Sequence, residues 1–490
     1  MKLIETTFRN FRCFTHYKIE YGAETTVFFG KNGTGKSSVL SGIRRGLSFM
    51  FARSKNFSKN LAVSNNARVK PFEKTEANFD MINRSYNYPI DNQFKAQFLN
   101  ENINWAMVKN SQNAGYSTTA YRDALQTVLG HYNADLKTAL PVLAVITDSF
   151  PHEIVNFGAK AKQTVTKDVL PRDLAYYGWD ARTSCLELWL NRFYRVSNYA
   201  NQLQEEIKAL QAQVELWESR LLELAGGDEE RHYAQAMLSK LKERLIHLDN
   251  DERFKRFSNE RRYIENKLLE FTRPLSADLD FINDEFELYR VAVSQIDKKN
   301  NTLEFNFKDG RVMSFEMLPM GYKRIFATVF DLAYRSYILN EERESQGIVM
   351  IDEIELHLHP TLQQDILQRF KRSFPHIQFI ITTHSPLVLS NFKADVQNKI
   401  IRLAHRGATY SNEEVNNIFG IDYNTGLTEV MGANYRESEL DNLIDSIVIL
   451  TKLKKTAQVA ALREELETIV GTNNRYIQDE IDKRIAQNNN

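Results

Sequence analysis

Cysteine is scarce: the 490 residues hold two, Cys13 and Cys185, too few for a disulfide framework or a four-thiolate zinc site. Both sit among apolar and aromatic neighbours, as reduced core thiols do. Charge of one sign is missing as well. The 63 basic and 63 acidic side chains leave no net field to draw nucleic acid or anionic membrane, so any such binding has to come from local patches. No run of about 18 uncharged apolar residues exists, and the opening MKLIETTFRNFRC carries charges where a secretory signal needs an apolar stretch. The expectation is a soluble, cytoplasmic chain with no membrane partner. No internal repeats and no low-complexity tract appear. At 42% hydrophobic and 26% charged residues the composition is that of a folded protein, and the length suggests roughly three modules.

The first thirty residues read as short alternating strands, LIETTF, YKIEY and TTVFFG, the last running into a glycine-rich loop and a helix from about Lys36. From Arg44 to Lys74 eight Lys/Arg face one acid, Glu73, and are interleaved with Phe49, Phe51, Phe57 and Phe72. This segment could touch phosphate backbones, or could be a solvated helix end and loop. A strand pair is expected around Glu76–Ile82 and Phe94–Met107, then mixed helical sequence to about Cys185. Between Glu187 and Phe271 a heptad pattern takes over. Leu203, Ile207, Leu210, Val214, Trp217, Leu221 and Leu224 form one seam; Ala225–Glu230 break it; Ala234, Leu238, Leu241, Leu245 and Leu248 resume it, and Phe254, Phe257, Ile264, Leu268 and Phe271 follow after a phase slip. The spacing predicts an antiparallel hairpin roughly 50–60 Å long that projects or clasps a neighbour. Two long helices packed on a globular body are the alternative. Beyond it, LEFNFKDGRVMSF predicts two strands joined at Asp309–Gly310, apolar strands at Gly347–Ile351 and Gln378–Thr382 alternate with helices, and a polar, mostly helical tail follows Ser411.

Three stretches carry chemistry. Positions 28–38, FFGKNGTGKSS, match GxxxxGK(S/T) between an apolar strand and a helix. The loop Gly30, Lys31, Asn32, Gly33, Thr34, Gly35 can wrap backbone N–H groups around the β- and γ-phosphates of ATP. Lys36 supplies a cation, Ser37 a hydroxyl for Mg²⁺, and Ser38 opens the helix whose N-terminus favours the anion. GIVMIDEIELHLHP, 347–360, brings Asp352 and Glu353 out at the C-terminal end of a buried strand, where ligands of open α/β sheets bind. Asp352 would hold Mg²⁺ through water and Glu353 would polarise the attacking water. The nearby His357 and His359 lack a thiolate or a third histidine to complete a zinc site. FIITTHSPLVL, 379–389, sets His384 at the end of another apolar strand, placed to contact the γ-phosphate.

With FRNFRCF at the start, the long gap from Lys36 to Asp352, the hairpin insertion and His384, the chain resembles the ABC-type ATPase heads of the SMC, Rad50 and RecF group. The fold class implied is α/β: an ABC/SMC-type P-loop ATPase head, a mixed sheet with flanking helices, carrying an inserted antiparallel coiled-coil hairpin and a helical C-terminal tail. The domains would be 1–186 (the lobe with the P-loop), 187–272 (hairpin), 273–410 (the second lobe) and 411–490 (helical region). Such heads carry a signature loop, LSGGQ or LSDGYR, that completes the partner's ATP site. Here LPMGYKR, Leu318–Arg324, stands in its place with Leu318, Gly321 and Lys323, but Pro319 replaces the serine that hydrogen-bonds the γ-phosphate, which puts the hydrolysis rate in doubt. The resemblance further implies a head-to-head homodimer closed by ATP, Arg9 or Arg12 reaching the phosphates in cis, and a glutamine contact for which Gln93 and Gln97 are candidates.

Within the group, DEIELHLHP, LPMGYKRI, the hairpin of modest length and FGIDYNTGLTEVMGANY look most like the PtuA-type ATPase subunits of Septu antiphage systems, including those linked to retrons. That likeness implies an HNH-type nuclease partner and, in retron-linked systems, a reverse transcriptase with its RNA–DNA product. A repair ATPase of RecF/Rad50 type binding DNA through Arg44–Lys74 is the alternative. The overcoming-lysogenization-defect group, whose ATPase is followed by a Toprim nuclease, needs a DxD pair that 391–490 lack.

Overall fold

The computed structural model describes residues 1–52, 69, 72–115, 117–135, 137–147, 159–180, 185–223, 228–273, 288–295, 301–433, 438–471 and 474–487. They form two units, Met1–Phe419 and Gly420–Asn490. The first is built on a six-stranded sheet with the spatial order Thr409–Glu414, Asn398–Arg406, Thr25–Phe29, Ile377–Thr382, Gly347–Ile351, Val142–Ile146. All neighbours are parallel except the pair Asn398–Arg406 and Thr409–Glu414. The four strands from Thr25–Phe29 to Val142–Ile146 are buried at every position, which is why they read as unbroken apolar runs. The fold class is the α/β P-loop ATPase architecture that the sequence implies.

A second, antiparallel sheet orders Phe14–Glu20, Lys2–Phe11, Ile90–Phe98 and Glu101–Lys109, its strands alternating buried and exposed. The helix Lys36–Leu47 lies over it, close enough for the Trp105 indole to donate to the Gly46 carbonyl at 3.0 Å. Gln378, fully buried, stitches the two sheets together: its side chain bonds both Leu3 N–H and Leu3 C=O, at 2.7 and 2.8 Å, and the Gly22 carbonyl at 2.7 Å. A third sheet holds Leu288–Gln295, Asn301–Phe307 and Val312–Ser314, the last two joined through Asp309–Gly310 as expected.

Three readings of the sequence are corrected. The main strand pair is Ile90–Phe98 with Glu101–Lys109, turning at Leu99 and Asn100, both left-handed; around Glu76–Ile82 the chain forms only a two-residue ladder, Phe79–Asp80 with Ser85–Tyr86. Val142–Ile146, expected within helical sequence, is the edge strand beside Gly347–Ile351. The hairpin is Leu186–Glu223 followed by two helices, Asp228–Asp249 and Glu252–Thr272, because Asp251 caps the second by accepting from Phe254 N–H at 2.8 Å. The phase slip is this break. Residues 224–227, with half of the expected break at 225–230, lie outside the described residues.

Seam residues Ile207, Leu210, Val214 and Ala234 are buried, whereas Leu203, Trp217, Leu221, Leu238 and Leu241 are half-buried. Phe257, Ile264, Leu268 and Phe271 are fully buried, and their helix packs on Met320–Asn340 and Pro360–Ser373 of the body. Thus the base of the hairpin is part of the globular core, and the segment above it is held by its own seam.

The second unit packs the helices Ser438–Lys452, Thr456–Val470 and Arg475–Gln487 around Ile444, Ile447, Val448, Leu466, Ile477 and Ile481. Arg484 braces it through Asp441, Asp445 and Glu480 at 2.7, 2.5 and 3.0 Å. Among the described residues no helix is long and apolar enough to cross a membrane.

Candidate functional site

The loop after Thr25–Phe29 is shaped by backbone conformations that side chains resist. Gly30, Gly33 and Gly35 have φ of +146°, +82° and +96°. A Cβ on Gly30 would stand 2.2 Å from the Leu403 carbonyl, and one on Gly35 would stand 2.7 Å from the Phe14 ring. Thr34 Oγ1 closes the loop by donating to Lys31 O at 2.8 Å. Gly35 is the N-cap of the following helix, with no side chain capping the helix and no acid in its first turn. Its leading N–H groups and the positive end of its dipole are therefore offered to an anion from outside the helix.

Lys36 is buried and curls back over this loop, donating to Gly30 O at 2.7 Å and Lys31 O at 3.1 Å. Burial pushes its ammonium below the ordinary lysine range, against the opposing pull of Asp352, Glu353 and Glu355. Three carboxylates thus bear on this one cation. They come from the chain leaving Gly347–Ile351 at the C-terminal edge of the sheet, with the Asp352 N–H bonded to Ile146 O at 2.8 Å.

The acidic turn is tightly specified. Thr382 Oγ1 donates to Asp352 Oδ1 and accepts the Glu353 N–H at 2.9 Å. Glu353 has φ of +49°, a left-handed conformation costing about 1–2 kcal/mol outside glycine. Arg324, 3% exposed, helps hold that turn: it donates to the carbonyls of Glu353 at 2.8 Å, Asp352 at 2.9 Å and Leu356 at 3.1 Å. Glu355 reaches the next strand end, accepting the His384 N–H at 2.5 Å and the Thr383 hydroxyl at 2.7 Å. His384 is half-buried there, beside the short helix Pro386–Ser390 that Ser385 caps. His359 caps the helix Pro360–Ser373. Sequence reasoning missed Arg324, Thr382 and Glu355 as individual contributors.

Leu318 is buried and Pro319 is the N-cap of Met320–Asn340. Gly321 lies so close to the acidic segment that a Cβ would come within 2.4 Å of the His357 carbonyl, while Lys323 stands half-buried one turn into the helix. Three further candidates are engaged elsewhere. Arg12 donates to Glu76 at 3.2 Å, Arg9 pairs with Asp91 at 4.0 Å, and Gln93 donates to Asp91 at 2.7 Å. Of the basic segment, Arg44 donates to Asp180 O, Arg45 forms a buried ion pair with Glu76 at 2.9 Å, and Lys74 sits over the Tyr86 ring. Residues 53–68, 70 and 71, with the rest of its cations, lie outside the described residues.

A retron Vc95 probable ATPase from Vibrio cholerae serotype O1 biovar El Tor is 25% identical over 450 residues, 88% of this chain and 78% of its own. A Septu protein PtuA from Bacillus mycoides is 32% identical over 152 residues, 31% of this chain and 18% of its own. Among solved structures, an SMC head domain from Pyrococcus furiosus with an extended coiled coil, bound to the C-terminal domain of ScpA, is 12% identical with a TM-score of 0.42, covering 85% of this chain and 96% of that one. The resemblance to retron and Septu ATPases drawn from the motifs is therefore met by named relatives. The model of the AAA ATPase domain matches residues 1–389, most of the chain and all three motif stretches, and the protein belongs to that ATPase family.

Proposed function

We propose that this ATPase is the regulatory subunit of a bacterial antiphage defence complex, in which two heads close on ATP and so hold or release a partner nuclease. The observation that carries the chemistry is the strand order: the strands that lead into Gly30–Lys36 and into Asp352–Glu353 run parallel on either side of Ile377–Thr382, so both segments leave the sheet at the same C-terminal edge. In this reading the N–H groups of Gly30–Ser37 bind the β- and γ-phosphates, and the Lys36 ammonium exchanges the carbonyls of Gly30 and Lys31 for phosphate oxygens. Ser37 and Asp352 would hold Mg²⁺. Both are the oxygen donors that this hard ion prefers, and Asp352 has only one oxygen committed to Thr382. When bound, Mg²⁺ neutralises charge on the β- and γ-oxygens. Glu353 accepts a proton from the attacking water, and His384 contacts the γ-phosphate from the neighbouring strand end.

The signature residues Leu318, Gly321 and Lys323 would face the partner head's nucleotide, where Pro319 offers no hydroxyl and turnover is correspondingly slow. Arg9 and Arg12 can join the phosphates only by leaving Asp91 and Glu76. The defence role rests on the retron and Septu relatives, and by the same likeness the partners are an HNH-type nuclease and, in a retron-linked complex, a reverse transcriptase with its RNA–DNA product. A DNA-tracking repair head has less behind it, since Arg44, Arg45 and Lys74 are engaged within the chain.

The test is the association state of the purified chain by light scattering. Glu353→Gln should bind ATP, accumulate as a dimer and hydrolyse at least about tenfold more slowly, whereas Lys36→Ala should bind no ATP and stay open. Unchanged turnover in Glu353→Gln removes that residue from the base role, and a dimer indifferent to ATP removes the closing head.

A further inference from the structure

Glu355 stands two residues beyond the carboxylate pair and takes part in none of the steps above. Both of its oxygens are committed to the strand end that carries His384, one to the His384 N–H at 2.5 Å and the other to the Thr383 hydroxyl at 2.7 Å. The Thr383 oxygen in turn accepts the Ser385 N–H at 3.0 Å, and the Ser385 hydroxyl bonds Gln363 at 2.6 Å. That carboxylate thereby holds the turn from Thr383 to Ser385 together with Gln363 and the Phe28 carbonyl, which accepts the Thr383 N–H at 3.0 Å. The need for it follows from the sheet. Gly347–Ile351 and Ile377–Thr382 are paired as far as Ile351 and Ile381, and past that register the ladder gives way to one backbone bond, from the Ile354 N–H to Thr382 O at 3.2 Å. Side chains take over, Thr382 reaching toward Asp352 and Glu353, and Glu355 reaching the other way. A carboxylate accepting a peptide N–H makes a bond about twice as strong as a neutral one, and it accepts through both oxygens at once. The strand end that Glu355 holds also carries Thr382, which bonds Asp352 and Glu353, so the group sits at the site itself.

We propose that Glu355 is a positioning residue for ATP hydrolysis, its carboxylate clasping the Thr383–His384 backbone and so fixing where the His384 imidazole stands relative to Asp352 and Glu353. This rests on the reading of His384 as the γ-phosphate contact. Shortening the side chain to alanine frees the turn. Glutamine keeps an acceptor for the His384 N–H and can donate to a Thr383 hydroxyl that reverses its direction, so the clasp survives with its charge removed.

The experiment compares the full-length chain with Glu355→Ala, Glu355→Gln, His384→Ala and the Glu355→Ala/His384→Ala double variant, measuring phosphate release and equilibrium binding of a fluorescent ATP analogue. Expected are a kcat loss of about tenfold or more in Glu355→Ala, with analogue affinity changed by less than about threefold, and recovery of most of that kcat in Glu355→Gln. The double variant should be no slower than His384→Ala alone, because the clasp then has nothing to position. A double variant about tenfold slower than His384→Ala overturns the proposal, as does a Glu355→Ala that loses affinity as fully as turnover. His384→Ala turning over at the parent rate sinks the reading of the histidine, and the clasp with it, so the two failures are distinguishable. If Glu355→Ala does not fold, Thr383→Val, which removes the hydroxyl link to Glu355 together with the acceptor of the Ser385 N–H, takes its place in the same comparison.

Discussion

Replacing Glu260 with alanine tests how the hairpin is fixed to the body. Arg192 and Glu260 face each other across the hairpin base with side chains 1% and 2% exposed, joined by two parallel bonds of 2.8 and 2.7 Å. Arg192 also donates to Val165 O at 3.1 Å and Lys167 O at 2.5 Å, and its guanidinium lies 4.9 Å from the centre of the Phe257 ring. Burial opposes that charge, but Glu260 outweighs it and holds the guanidinium proton above its ordinary range. Without Glu260 the cation stays buried with backbone carbonyls alone, and breaking such a pair from one side costs about 3–5 kcal/mol. If the Met1–Phe419 unit unfolds as a whole, its unfolding entropy of about 0.9 kcal/mol/K converts that cost into a Tm drop of roughly 3–6 °C. Calorimetry of the full-length chain reads this directly. The apolar double variant Arg192→Met/Glu260→Leu should regain most of the loss, since it leaves no charge uncompensated. A Glu260→Ala chain that melts with the parent, or a double variant worse than the single one, would refute the reasoning.

Gly321→Ala should slow hydrolysis by about tenfold or more while nucleotide binding holds, because a methyl 2.4 Å from the His357 carbonyl forces the helix carrying Arg324 away from the acidic turn; single-turnover kinetics check it. Cys185, whose thiol burial pushes up to about 12, should resist alkylation at pH 8 in the native chain and react only after denaturation, as peptide mass spectrometry would reveal. Excising Ile207–Glu243 and joining Glu206 to Arg244, which meet at 2.5 Å, through a short turn should leave ATP binding intact while abolishing copurification of the partner; wholesale misfolding would mean the upper hairpin is needed by the body.

What could be read from the chain divides along physical lines. Gly30, Lys36, Ser37, Asp352 and His384 announced themselves because their spacing and their place after apolar strands are local properties. Val142–Ile146 was hidden because five apolar residues fit a strand or a buried helix equally well, and only its neighbour Gly347–Ile351 decides between them. The turn at Leu99 and Asn100 lacks the glycine that usually marks such a hairpin. The break at Asn250 left two signals, the phase slip before Phe254 and an Asp251 cap three residues ahead of it. Arg324, Thr382 and Glu355 gave no local sign: an arginine in a helix, a threonine closing a strand and a second glutamate gain their roles only from residues about 30 positions away.

The order of strands has a consequence for how the protein is born. Thr25–Phe29 leaves the ribosome well before its two sheet neighbours, Ile377–Thr382 and Asn398–Arg406, which are translated about 350 and 370 residues later, roughly 20–70 s at ordinary elongation rates. Until then an apolar strand with two bare edges waits without its mates, so the nascent chain is a natural client for a chaperone. A premature stop inside the hairpin would yield the phosphate loop without the sheet that shapes it.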